Sequence, residues 1–384
     1  NIILIMKSQR HLFNIPKDQA YFNTAYFGCL LNESVNAAAY GTNLKAQPWN
    51  IHMSDFFTDA DIARQLFAQL INTDQNNIAL IPSASYGFAT AAKNLNLNSN
   101  DSIMVLSEQF PSNYYIWEQL AIKNNTTLSV VPRPEDDDWT TNILNTIDDS
   151  VKIISLSNNH WTDGGYIDLE KISNNISNSD IALLIDGTQS VGAMPIDVEK
   201  INPDFLVVSG YKWLLGPYNL GLCYINPKYH DGDPLEYWWG HKEGADNPTS
   251  LINYPSNYLP GARRFDYGHK GNFHLLPPLI KALEQLLDWG VDEIYKYTSD
   301  VNNKIIENLS DIGISTIDDK YRAGHYLGVR FNDRIPSDFT QYLTDNNVHV
   351  SVRGTNTVRV TPHLWINDND IDKFVDVVKN YFKK

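Results

Sequence analysis

Two apolar runs, residues 181–185 and 205–208, each lead directly into a group that can do chemistry. The first ends in Asp186 and the second in Ser209-Gly210-Tyr211-Lys212. Continuous Val/Ile/Leu runs read as buried parallel strands, and ligands of open α/β sheets sit beyond the carboxyl ends of such strands. The carboxylate and the amine are separated by one short crossover (212 − 186 = 26 residues), so both can face one crevice. A lysine attacks a carbonyl only when neutral, which an apolar setting secures by lowering its pKa. Lys212 is flanked by Tyr211, Trp213, Leu214 and Leu215, and Gly216-Pro217 turns the chain away. Two unit charges in contact interact by roughly 4 kcal/mol at an effective dielectric near 20, enough for Asp186 to hold a ring nitrogen protonated. Singly, the two residues also read as a turn cap and a surface lysine. As a pair they suit pyridoxal phosphate, which needs an amine for its imine and an anion for its pyridine nitrogen.

The order D-G-T-Q-S-V-G, a strand, then S-G-Y-K-W-L-L-G-P resembles the class V aminotransferase superfamily, with other matching segments from about Tyr21 to the C-terminus. That family includes cysteine desulfurases, kynureninases, epimerase-like proteins and related C–S lyases. The resemblance implies a lysine Schiff base at Lys212 and a contact from Gln189 to the cofactor's ring oxygen or imine. It also implies phosphate binding by Ser209 and Tyr211.

Further upstream, the short strand 78–81 runs into Pro82-Ser83-Ala84-Ser85-Tyr86-Gly87 and an alanine-rich helix over 88–93. Free backbone N–H groups at a helix start attract an anion. Ser85, with the amides around Ala84 and Tyr86, is therefore the expected phosphate cradle, a bare serine cap being the alternative. The family places its phosphate loop here. Phe110, after the strand 102–107, stands where relatives stack a ring on the cofactor, and as a phenylalanine it resembles the epimerase-like branch. The loop Ser157 to Gly165 resembles a stretch bordering the cofactor, with Trp161 and Asn158 as candidates and His160 as an ordinary loop histidine.

On the substrate side, the segment Tyr21 to Gly28 contributes Asn23, Ala25 and Tyr26 by the same resemblance. Arg359 resembles the arginine that clamps the substrate's α-carboxylate, a task its planar fork suits, and Arg353 is a second candidate anchor. Between them lie only Gly354-Thr355-Asn356-Thr357-Val358, where desulfurases carry a mobile cysteine. Cysteine-type persulfide chemistry is accordingly not expected. Arg263 to Asn272 resembles a segment that reaches a neighbouring subunit's phosphate through Gly268 and His269, which implies a homodimer. His269 stands where threonine is common.

At 384 residues the chain can bury a large core and should divide. The expected fold is α/β: a pyridoxal-phosphate-binding unit over 21–272 with a mainly parallel sheet of seven-stranded type flanked by helices, then a connector helix and smaller α+β unit over 273–384. Residues 1–20 are read as an extension packing on the smaller unit. Periodicity predicts helices over 59–71, 275–289, 294–309, 338–345 and 368–382, and strands over 325–331, 348–353 and 358–360. The acidic cluster 135–138 reads as a solvated loop.

A net charge of −15 argues against nucleic acid or an anionic membrane as partner. Cys29 and Cys223 make no disulfide framework, and without a C-x-x-C pair no metal is expected. The apolar run 2–6 is too short for a span and lacks the flanks of a secretory signal, so the cytoplasm is the expected compartment. No G-x-G-x-x-G turn follows an early strand, which counts against a nicotinamide protein. The reaction class expected is an amino-acid transformation, with transamination first, C–S lysis or epimerisation next, and a non-catalytic cofactor binder as the contrasting reading.

Overall fold

A computed structural model describes residues 6–382; the run 2–5 lies outside them. The chain opens with a two-residue strand, β1 (Ala20–Tyr21), and helices α1 (Asn32–Ala46) and α2 (Thr58–Leu70). Then follow β2 (Ile78–Ile81), α3 (Ala84–Asn94), β3 (Ser102–Leu106), α4 (Tyr115–Asn124), β4 (Thr127–Val131) and α5 (Trp139–Thr146). The central stretch gives β5 (Val151–Ser157), α6 (Leu169–Ile176), β6 (Ala182–Asp186), α7 (Val198–Ile201), β7 (Phe205–Ser209) and β8 (Gly221–Ile225). The remainder holds α8 (Leu276–Trp289), α9 (Val291–Leu309), β9 (Ile314–Ser315), β10 (Leu327–Phe331), α10 (Phe339–Asp345), β11 (Val348–His349), β12 (Ser351–Arg353), β13 (Thr357–Val360) and α11 (Asp368–Phe382).

Seven strands form one sheet in the order β2-β8-β7-β6-β5-β3-β4, parallel except for β8, which is antiparallel to both neighbours. This is the mainly parallel α/β sheet that the apolar runs predict. Strands covered on both faces read as near-continuous apolar runs, and β6 and β7 are buried throughout, polar only at their last residues, Asp186 and Ser209. Alternate residues serve two cores. Leu183, Ile185, Leu206 and Val208 join Phe67, Leu279 and Leu283 on one face; Leu184, Phe205 and Val207 join Phe88 and Trp117 on the other.

The C-terminal part carries a second, four-stranded antiparallel sheet in the order β12-β13-β10-β9. The predicted strand 348–353 is broken at Val350. Its first half, β11, pairs in parallel with β1, through Ala20 with Val348 and Tyr21 with His349. Residues 20–25 are thus tied to C-terminal strands, with Asn23 bridged to Thr361. Arg10 donates to Asp370 at 2.8 Å and to the carbonyl of Trp365, bringing the N-terminal segment onto α11.

In the acidic cluster Glu135 and Asp136 are exposed loop residues, as expected, whereas the next two are engaged. Asp137 pairs with Arg330 at 2.9 Å and Asp138 caps α5 by accepting from the Thr141 amide. Helix α5 supplies the reason: its start needs an acceptor for orphan N–H groups. No helix among the described residues is long and apolar enough to cross a membrane.

Candidate active site

Strands β6 and β7 lie side by side, so their last residues meet the same crevice. Asp186 is buried at the end of β6 and accepts from the Thr188 amide at 3.0 Å. The Thr188 hydroxyl in turn accepts from the Ser209 amide at 3.1 Å, which ties the ends of the two strands together. Lys212 sits in a tight loop after β7, closed by Gly216 N–H to the Gly210 carbonyl at 2.8 Å and by Gly28 N–H to the Tyr211 carbonyl at 2.9 Å. Only glycine fits at position 28, because a Cβ there would lie 2.0 Å from the Lys212 carbonyl.

The Lys212 ammonium is 5.1 Å from the Phe110 ring centroid and 5.6 Å from that of Tyr211. Burial pushes its pKa down to about 8; Asp186 opposes that shift, while the positive Arg359 and Arg353 add to it. Burial likewise raises Asp186, against the Thr188 hydrogen bonds and the Lys212 charge. For both groups desolvation outweighs their mutual attraction. The crevice therefore holds an amine partly neutral near pH 8 and a carboxylate short of positive charge.

Lys212, Asp186, Gln189, Ser209, Tyr211, Ala84, Ser85, Phe110 and Trp161 all line one cavity of about 280 Å³. Helix α3 begins earlier than predicted, at Ala84. Ser83 is its cap, accepting from the Tyr86 amide at 3.2 Å, so that amide is already engaged. The donors left in the first turn are the amides of Ala84 and Ser85, which lack a partner within the helix. Gln189 is clamped, its amide nitrogen donating to the Ala25 carbonyl at 3.1 Å and its oxygen accepting from the Trp213 indole at 3.0 Å. One N–H of its two remains for a ligand. Phe110 meets Trp161 edge-on, with centroids 5.4 Å apart.

The substrate-side residues are placed unequally. Arg359 is buried in β13; it donates to the Trp161 carbonyl at 3.2 Å, its Nε has no partner, and among the described residues it has no acidic neighbour in ion-pair range. Asn23 accepts from the Ser351 hydroxyl at 2.8 Å and so braces the strand beside Arg359. Ala25 is represented by its carbonyl on Gln189, and Tyr26 is exposed, edge-on to Phe27 at 4.9 Å. Asn158 is buried and donates to the Ile167 carbonyl; His160 is stacked on Trp139 at 4.9 Å and is a core residue. Gly268 and His269 are not brought to this cavity: the Gly268 amide donates to Glu236 at 2.6 Å and His269 holds a left-handed φ of 61°.

Sequence reasoning missed Thr188, Trp213, Tyr218 and Asn219. Thr188 stands inside the D-G-T-Q stretch, where its hydroxyl was the available signal. Trp213 follows the lysine and gave no sign of pointing back to Gln189. Tyr218 and Asn219 line the cavity from the turn into β8, a segment without a chemical signature.

The class-V aminotransferase family matches residues 39–368, most of the chain, and the chain belongs to that family. It is accordingly a pyridoxal-phosphate-dependent enzyme. An uncharacterized aminotransferase of Schizosaccharomyces pombe is 23% identical, over 98% of this chain and 96% of its own length. A probable cysteine desulfurase of Pyrococcus abyssi is 23% identical over 84% of this chain and 82% of its own. Among solved structures, a mutant of C-DES with glycine covalently linked to the PLP cofactor superposes with a TM-score of 0.85 at 18% identity, covering 96% of this chain and 98% of that one. The Escherichia coli cysteine desulfurase CsdA gives 0.84 at 18%, covering 97% of each. At such identities these structures establish the shared fold.

Proposed function

We propose that the chain transforms an amino-acid substrate at the Lys212 crevice, as an aminotransferase of the class-V type. The observation that carries this reading is the buried amine and buried carboxylate in one cavity, with an arginine nearby that lacks an acid of its own. The donor set fits pyridoxal phosphate. Lys212 would hold its aldehyde, Asp186 its ring nitrogen, and the amides of Ala84 and Ser85 with Ser209 and Tyr211 its phosphate; Phe110 would flank the ring. Bound there, the cofactor supplies an electron sink for the bonds at the substrate's α-carbon.

The chain's own side chains do the rest. Arg359 binds the α-carboxylate and fixes which α-bond faces the cavity. Lys212, neutral in appreciable fraction near pH 8, takes and returns the α-proton at its amine. Asp186 stays charged once a cation lies against it, because an opposite charge offsets its burial. Phe110 and Trp161 exclude water from one side. Gln189, pinned by Trp213 and Ala25, keeps one N–H directed at the ligand.

A C–S lyase is the second reading, favoured by likeness to C-DES, described as a cystine C–S lyase. Desulfurase chemistry of the cysteine type is not supported. The three-residue turn between Arg353 and Thr357 has no thiol, burial pushes the Cys29 thiol up to about 12, and Cys223 is buried in β8 with its thiol also raised. We further infer a cytoplasmic homodimer whose Gly268 and His269 complete the neighbour's site, and units over 21–272 and 273–384.

The deciding experiment is an amino-acid panel with the cofactor-loaded protein. Keto acid formed only when an acceptor keto acid is present supports the aminotransferase. Pyruvate with ammonia and no acceptor selects the lyase. No product from any amino acid, despite a bound cofactor, sinks both and leaves a binder.

A further inference from the structure

Trp161 is the wall common to the Lys212 cavity and a second cavity of about 690 Å³, lined by more charged residues. Three arginines line the second space, and two of them are matched by three carboxylates. Arg133 pairs with Glu108 at 2.6 Å and with Asp163 at 2.7 Å; Arg330 pairs with Asp137 at 2.9 Å and with Asp163 at 2.8 Å. Arg353 is different. Its guanidinium lies 5.3 Å from the Trp161 ring centroid, one nitrogen donates to the Val352 carbonyl, and its Nε is buried with no partner. Among the described residues no carboxylate reaches it in ion-pair range. Glu135, also at this cavity, is exposed.

Arg359 is equally without an acid, and it lies near enough to disfavour the charge on Arg353. Burial first, and then Arg359, push Arg353 down to about 10. Two like charges held together in a chain of net charge −15 are a standing cost unless a ligand supplies the anions. One α-carboxylate neutralises Arg359 and leaves Arg353 unmatched.

We propose that the substrate is an amino acid whose side chain ends in a second anion, a carboxylate or sulfonate, and that Arg353 receives it on the far side of Trp161. This rests on the reading of Arg359 and Lys212 given above, and it narrows the substrate class to acidic amino acids. Held over the Trp161 ring and tied to the Val352 carbonyl, the guanidinium is pre-oriented, so little side-chain freedom is lost on binding.

The test compares L-aspartate, L-glutamate and L-cysteate with L-asparagine and L-glutamine on the cofactor-loaded enzyme. It is paired with calorimetric titration of succinate and glutarate against their half-amides, ligands that bind without reacting. An acidic member should exceed its amide in kcat/KM on the order of 10- to 100-fold, the worth of a charged hydrogen-bonded contact, and the dicarboxylate should bind tighter by a similar factor. Arg353→Gln should collapse both ratios to about one, and Arg353→Lys should keep part of them. Equal affinity of the dicarboxylate and its half-amide in the native enzyme overturns the proposal, since both arginines would then serve a single carboxylate. A ratio that survives Arg353→Gln overturns it too. Loss of the Lys212 reading would show separately, as the absence of a near-visible absorbance dependent on Lys212, and the titration reports on Arg353 in either event.

Discussion

Lys212 and Asp186 make opposite demands on one cavity, and each sets a measurable outcome. A buried amine shifted to about 8 becomes neutral as pH rises through 8, well below the range of a free lysine. The rate at which cofactor-free protein captures pyridoxal phosphate, followed by absorbance, should climb with pH and level off just above 8. A climb continuing toward 10 would mean that Lys212 is solvated. Lys212→Ala should abolish the absorbance and turnover together. Asp186→Asn removes a charge contact of roughly 4 kcal/mol, so kcat should fall on the order of 10³-fold with the protein still folded. The pairing of these two residues was legible in the sequence because their types, order and spacing are what the chemistry requires. Arg359's lack of an acidic neighbour was not, since it depends on which side chains β10, β12 and Trp161 bring near it.

Among elements, the loop carrying Lys212 is held from outside by the segment after β1. Gly28 bonds to the Tyr211 carbonyl and packs against the backbone of Lys212. Gly28→Ala must push that loop away, and overpacking of this kind costs about 1–3 kcal/mol. Cofactor affinity, measured by equilibrium titration, should weaken by at least tenfold, whereas Gly354→Ala in the open turn after β12 should leave it unchanged. Helix α3 shows where reading by pattern stops short. An alanine-rich helix was visible, but its true start at Ala84 was set by Ser83 capping the Tyr86 amide. Ser83 and Ser85 offer two caps of similar worth, and tertiary packing selected the first. The break of the predicted strand 348–353 has a similar origin. Its two halves answer to different partners, β1 and β13.

For the molecule as a whole, one buried network fastens the segment 263–272 to the large sheet. Asp266 accepts from Arg64 at 2.5 Å, from Lys270 at 2.6 Å and from the Leu80 amide at 2.9 Å, all of them buried. Burial alone would raise its pKa, but Arg64 and Lys270 hold it down at about 2. A carboxyl depressed in the folded state stabilises the fold above the unfolded value near 4, and that contribution is lost as pH falls toward 2. Asp266→Ala leaves the buried Lys270 unmatched and Arg64 with only the half-exposed Asp61, and should cost about 3–5 kcal/mol in denaturant unfolding. In that variant the stability lost by the native protein between pH 4 and pH 2 should shrink; an unaltered acid profile would show that other carboxylates govern it.

The order of apolar runs, the residues ending them and the turn chemistry between them are local properties. They were enough to determine an α/β sheet with an amine and a carboxylate at adjacent strand ends. What lies across the crevice was decided only by tertiary structure. Trp213 reaching back to Gln189, Asn23 bracing Ser351 and two arginines left without acids join residues far apart in the chain. Such contacts follow from the packing of whole layers, and no short stretch of sequence encodes them.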